Sequence, residues 1–209
     1  MNNKHLWNIA LLLAVITVFY NFLEGLASVY FGTSGETVSL FGFGIDSFIE
    51  VMSGIGVWHM IVRIKNNNNE NSDDFEKTAL KITGISFYIL TAGLAVTIAY
   101  NIYTGHKPQT TVWGIIISSI SIIAMTILMR FKLNTGKILK SAAVIADANC
   151  TRTCLYLSII LLLSSAAFQI FKIGFIDTIG AIGIAYYSFK EGRESMEKAA
   201  GKKYDCEDD

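Results

Sequence analysis

Residues 6–31 read LWNIALLLAVITVFYNFLEGLASVYF, and this apolar run decides the fold class. A helix needs about 20 mostly apolar residues to cross a hydrocarbon core of about 30 Å. The run from Leu6 to Phe31 exceeds that length, outruns a signal-peptide core and has no small-residue cleavage site, so it is expected as a retained span. Five further segments have the same character: Val38 to Ile64, Ile82 to Tyr103, Thr111 to Phe131, Ile138 to Phe168 and Gly174 to Phe189, the last being the shortest. The expected fold is therefore an all-α membrane protein, a six-transmembrane-helix bundle over 1–191 with a short cytoplasmic tail over 192–209.

Composition agrees. Of the 209 residues, 52% are hydrophobic and only 16% charged, and the mean hydropathy is +0.46, too apolar for an ordinary soluble domain. Basic and acidic residues balance at 17 each, which leaves no excess to neutralise phosphates and excludes nucleic acid as a partner. With only Cys150, Cys154 and Cys206, there is no disulfide framework. The stretch 66–74, NNNNENSDD, reads as a flexible loop.

Basic residues accumulate on the cytoplasmic flanks of spans. Here they gather at Lys4, between Arg63 and Lys81, between Arg130 and Lys140 (Lys132 and Lys137 among them), and from Lys190 onward, whereas the opposite flanks hold only Lys107 and Lys172. This places both termini in the cytoplasm.

An ionisable side chain at bilayer depth costs roughly 2.5 to 3.5 kcal/mol on insertion scales and so needs a partner, a wet cavity or a function. Span 1 carries Glu24 with Asn21 before it, span 2 carries Asp46 and Glu50, span 5 carries Asp147, Cys150, Arg152 and Cys154, and span 6 opens with Asp177. Asp46 and Glu50 at i, i+4 share a helix face, as do Asp147, Cys150 and Cys154 at i, i+3 and i+7. At the rise of an α-helix, Glu50 lies about 18 Å below the outer end of span 2 and Cys150 about 18 Å above the inner end of span 5, so the two meet near the midplane. Asp46 and Cys154 then fall together one turn further out. Two carboxylates and two potential thiolates converge as four ligands, the number a tetrahedral divalent site needs.

Competing readings stay open at each position. A cysteine in an apolar helix is often only a small hydrophobe, and buried acids can be structural partners. Arg152 is the one deep basic residue this reading finds, and it cannot neutralise Glu24, Asp46, Glu50 and Asp147 together. Glu24 either pairs with Arg152 or lines the ion path. Asp147 is either a mouth residue of that path or a solvated acid, and Asp177 either belongs to it or caps span 6. No nucleophile, base and orienter occur together, so an enzyme is not expected.

With these motifs in view, the sequence resembles the transmembrane domain of the cation diffusion facilitator superfamily of divalent-metal/proton antiporters, across essentially all the spans. The family's span-2 motif, an acidic or histidine residue with a second acid four later, is matched by Asp46 and Glu50 in GFGIDSFIEVMSG, and its span-5 motif, an ADA-type start followed by His and Asp, by ADANCTRTC from Ala146. Cys150 and Cys154 occupy the positions of that His and Asp. The EG of Glu24 and Gly25 is similar to a divergent branch of short bacterial members, which implies a multi-pass protein of the bacterial inner membrane.

The resemblance implies export of a divalent transition metal by alternating access, coupled to protons, with no resident cofactor. Thiolates shift preference toward Zn²⁺, Cd²⁺ or copper(I), with Zn²⁺ expected and Fe²⁺ or Co²⁺ as alternatives. The expected partners are the lipid bilayer, the metal and protons. The soluble domain that many members use to dimerise is absent from this sequence, which leaves a homodimer open. The alternative reading is a non-transporting metal sensor or partner subunit of the same fold.

Overall fold

The computed structural model describes residues 3–33, 38–66, 72–104, 112–171 and 175–201. They form α1 (Asn3–Thr33), α2 (Val38–Asn66), α3 (Ser72–Thr104), α4 (Val112–Leu139), α5 (Ala142–Phe171) and α6 (Phe175–Ala199), with no strand among them. Within the described residues, four of these helices are long and apolar enough to cross a membrane, namely those holding His5–Phe31, Gly42–Asn66, Asp73–Tyr100 and Ile115–Leu139.

The bundle is polar inside and apolar outside. On α1, Thr17, Asn21, Glu24 and Ser28 recur at intervals of four, three and four residues and are all buried, while Leu12, Ile16, Phe19, Leu23, Leu26 and Tyr30 are exposed. The same arrangement holds on α4, where Ser118, Ser121, Met125, Leu128, Lys132 and Thr135 form the inward stripe and Ile116, Ile120, Ile123 and Ile127 face outward. Such an exterior suits lipid, and the chain is an integral, multi-pass membrane protein.

Helices α1, α2, α5 and α4 pack in a ring, each on the next, and α3 and α6 pair with one another against α2 and α5. Small residues allow the close approaches. A Cβ at Gly44 would meet the backbone nitrogen of Val29 at 2.9 Å and the Gly25 carbonyl oxygen at 3.0 Å, so α2 can lie on α1 there only as glycine.

The α4–α5 turn sets the register of the site. Lys140 takes a left-handed conformation (φ 54°), and the Ser141 and Lys140 amides donate to the carbonyls of Gly136 and Lys137 at 3.1 and 3.2 Å, the hydrogen bonds of a Schellman end. Ser141 then caps α5. Its hydroxyl accepts from the Val144 amide at 3.4 Å, while Glu76 of α3 accepts from the Ser141 hydroxyl at 2.8 Å and the Ala143 amide at 3.1 Å. With only Lys140 and Ser141 between them, α4 and α5 run antiparallel in contact.

Several sequence boundaries move. Helix α3 begins at Ser72, so the end of the 66–74 stretch expected as a loop is helix; α4 continues past Phe131 to Leu139 and takes in Ile138, the expected start of span 5; and α6 continues past Phe189 to Ala199. The start of the stretch expected as a tail is therefore helix: Ser195 and Ala199 are buried, and Gly192 lies against Phe87 and Tyr88 of α3. Between Gly192 and Phe87 there is no room for a Cβ without a contact of 3.0 Å. Ala199 joins Ala10, Ala14, Val57, Met60, Ile61, Ile64, Leu80 and Val144 in an apolar cluster that closes the end of the bundle where the α4–α5 turn lies. Arg63, Lys65, Lys137 and Lys140 decorate this same end, called the basic end below.

Candidate metal centre

The polar interior is richest where α2 faces α5. Asp46, Glu50 and Ser53 follow one another on the inward face of α2, and Asp147, Cys150, Thr151, Cys154 and Ser158 on that of α5, all buried. The Thr151 hydroxyl donates a short hydrogen bond to Glu50 Oε1 and so pins the register between the two helices. Ser53 donates to Asp147 Oδ1 at 2.8 Å one turn nearer the basic end and shares a 3.0 Å hydrogen bond with Thr83 of α3. One turn the other way, the Cys154 thiol faces both Asp46 and Glu50. Cys150 lies within electrostatic reach of Glu50, Asp147 and Asp46, and both cysteines are free thiols.

The hydrogen bonding is uneven in an informative way. Neither oxygen of Asp46 has a hydrogen-bond partner of ordinary geometry among the described residues, although the residue is only 3% exposed, and Glu50 Oε2 is likewise without one. Buried carboxylate oxygens are costly to leave unsatisfied. The four side chains are thus gathered on facing helices without being drawn into a closed shell: among the described residues, no three His, Cys, Asp or Glu groups are already set to hold a metal ion.

The sequence reading missed the main electrostatic partner. Lys132, placed there among the cytoplasmic flanking charges, is 1% exposed. Its ammonium lies 2.7 Å from Asp147 Oδ2 and 3.8 Å from Glu50 Oε1 and donates to the Thr151 hydroxyl at 2.9 Å. The signal was present in α4: the spacing of Ser118, Ser121, Met125 and Leu128 continues to Lys132 and Thr135, so the lysine belongs to the buried stripe. Ending the span at Phe131 concealed it.

Three expectations change accordingly. Asp147 is not a solvated acid, because it is buried and Lys132 and Ser53 engage it inside the bundle. Arg152 neutralises none of the central acids. Its guanidinium donates to Asn149 Oδ1 at 2.7 Å, and Asn149 in turn donates to Glu191 of α6 at 2.7 Å, so it belongs to the α5–α6 contact. Glu24 does not pair with Arg152 but accepts from Tyr20 at 2.9 Å and from Ser47 of α2 at 3.1 Å. It stands within electrostatic reach of Asp46 and Glu50. Asn21 donates to the Thr17 carbonyl at 3.0 Å, and its Oδ1 has no partner among the described residues. Asp177 lies in α6 with its side chain outside the described residues, and Cys206 lies outside them altogether.

A helical membrane protein whose buried helix faces bring acids, thiols and a compensating lysine to one level has the makings of an ion transporter. The cation efflux transmembrane domain family matches residues 10–200, and the chain belongs to this family. It is a metal cation transporter of the cation diffusion facilitator kind. No individual curated protein matches it.

Proposed function

We propose that the chain exports a divalent transition metal, with Zn²⁺ as the preferred substrate, through alternating access around Asp46, Glu50, Cys150 and Cys154, in exchange for protons. The observation that carries this reading is Asp46: a buried carboxylate neither of whose oxygens has a hydrogen-bond partner of ordinary geometry among the described residues, facing the Cys154 thiol on the opposite helix. Charge supports it as well. Lys132 is held closest to Asp147, which leaves the negative charge of ionised Asp46 and Glu50 to be balanced by a bound cation or by protons. Carboxylates and thiols bind metal only when deprotonated, so metal binding and proton release are coupled by the ligands themselves. The mixed oxygen and sulfur donor set favours Zn²⁺ and Cd²⁺ over Mg²⁺ or Mn²⁺.

In this reading the basic end faces the cytoplasm, and the apolar cluster around Ala14, Val57 and Val144 closes that side. The test is flux. Protein reconstituted in vesicles under an imposed pH gradient should move Zn²⁺, and Asp46→Ala should stop it. Protein that moves none of Zn²⁺, Cd²⁺, Fe²⁺, Co²⁺ or Cu⁺ would overturn the reading. Stoichiometric binding without flux would assign the chain to metal sensing or to service as a partner subunit.

A further inference from the structure

We infer that Lys132 shares Glu50 with the transported cation, and thereby both presents one carboxylate oxygen to that cation and limits how tightly it is held. The inference rests on the metal-transport reading above. The two oxygens of Glu50 have different surroundings. Oε1 accepts from Thr151 and lies 3.8 Å from the Lys132 ammonium, whereas Oε2 has no hydrogen-bond partner of ordinary geometry among the described residues. The lysine side of the carboxylate is engaged, and Oε2 is the oxygen left for a metal.

Lys132 is also fixed in place. It is buried, it holds Asp147 at 2.7 Å and Thr151 at 2.9 Å, and Asp147 is itself held by Ser53. A dication on Oε2 therefore sits on the same carboxylate as a positive charge that cannot withdraw to water. Repulsion between like charges a few ångströms apart inside a protein is several times stronger than in bulk water. Conduction requires a site favourable enough to enter and weak enough to leave. A fixed ammonium beside a carboxylate and thiol site, which would otherwise hold Zn²⁺ tightly, provides that weakening. Lys132 is thus a positioning residue: it acts through Glu50 and does not touch the metal.

The experiment is Zn²⁺ titration of the full chain in detergent or nanodiscs, paired with zinc flux in vesicles, for wild type, Lys132→Met and Lys132→Arg. Removing the ammonium should lower the Kd for Zn²⁺ on the order of tenfold, and in flux it should lower both KM and the maximal rate. Lys132→Arg, which keeps the charge, should restore values near wild type. Should Lys132→Met fail to fold, the charge-balanced double variant Lys132→Met with Asp147→Asn removes the pair without stranding a buried carboxylate, and it should also tighten zinc binding. A Kd left unchanged or raised in the folded variants that lack the ammonium, Lys132→Met or Lys132→Met with Asp147→Asn, would overturn the inference while leaving the transport reading intact. A wild type that binds no Zn²⁺ would instead remove the transport reading on which it rests.

Discussion

Lys132 of α4 and Asp147 of α5, two residues that are each 1% exposed, form a 2.7 Å ion pair. Desolvating both charges is costly, and losing one partner strands the other. Asp147→Asn should therefore destabilise the protein by about 3–5 kcal/mol, whereas Asp147→Asn combined with Lys132→Met should recover most of that loss. Thermal unfolding of the solubilised protein checks this. Equal losses in the single and double variants would show that the pair is not coupled.

The α1–α2 contact gives a second expectation. At Gly44 a Cβ would meet backbone atoms of α1 at 2.9 and 3.0 Å, while at Gly42 it would meet nothing within 4 Å among the described residues. Backbone cannot swing aside as a flexible side chain can. Gly44→Ala should lower stability by about 1–3 kcal/mol through overpacking, and Gly42→Ala should be neutral or slightly stabilising through helix propensity. The same unfolding assay separates them.

Arg152 offers a contrast within α5. Because it reaches Asn149 and, through it, Glu191 of α6, Arg152→Ala should loosen the α5–α6 contact by about 1–3 kcal/mol and leave Zn²⁺ affinity near wild type. A large drop in zinc affinity with unchanged stability would place Arg152 in the ion path.

Donor chemistry sets a fourth expectation. Exchanging Cys150→His and Cys154→Asp replaces two sulfur donors by nitrogen and oxygen at the same helix positions. The preference for Cd²⁺ over Mn²⁺, measured by competition binding, should fall on the order of tenfold or more. An unchanged preference would mean that the thiols only fill space.

Much of this was readable in the sequence, and what was not has physical causes. Apolar run lengths locate the helices because the bilayer demands them, and the i, i+4 spacing of Asp46 with Glu50 and of Cys150 with Cys154 places each pair on one face of its helix. Hydropathy fails at the helix ends. It stopped span 4 at Phe131, one residue before Lys132, because a charge lowers local hydropathy whether it faces water or a buried carboxylate. It stopped span 6 at Phe189 for the same reason, although α6 continues to Ala199 against α3. Arg152 was the converse error. Its depth in the sequence made it the natural partner for the acids, but its helix face turns it toward Asn149 and Glu191. Only packing distinguishes the two cations.

The measurement that bears most directly on the central claim is zinc flux into proteoliposomes carrying a trapped pH indicator, run on wild type beside Cys150→Ser with Cys154→Ser. Wild type should move Zn²⁺ with a counterflow of protons, and the double variant, folded and reconstituted to the same level, should move neither. Zinc flux in the double variant equal to wild type, or wild-type flux with no accompanying proton movement, would contradict the account.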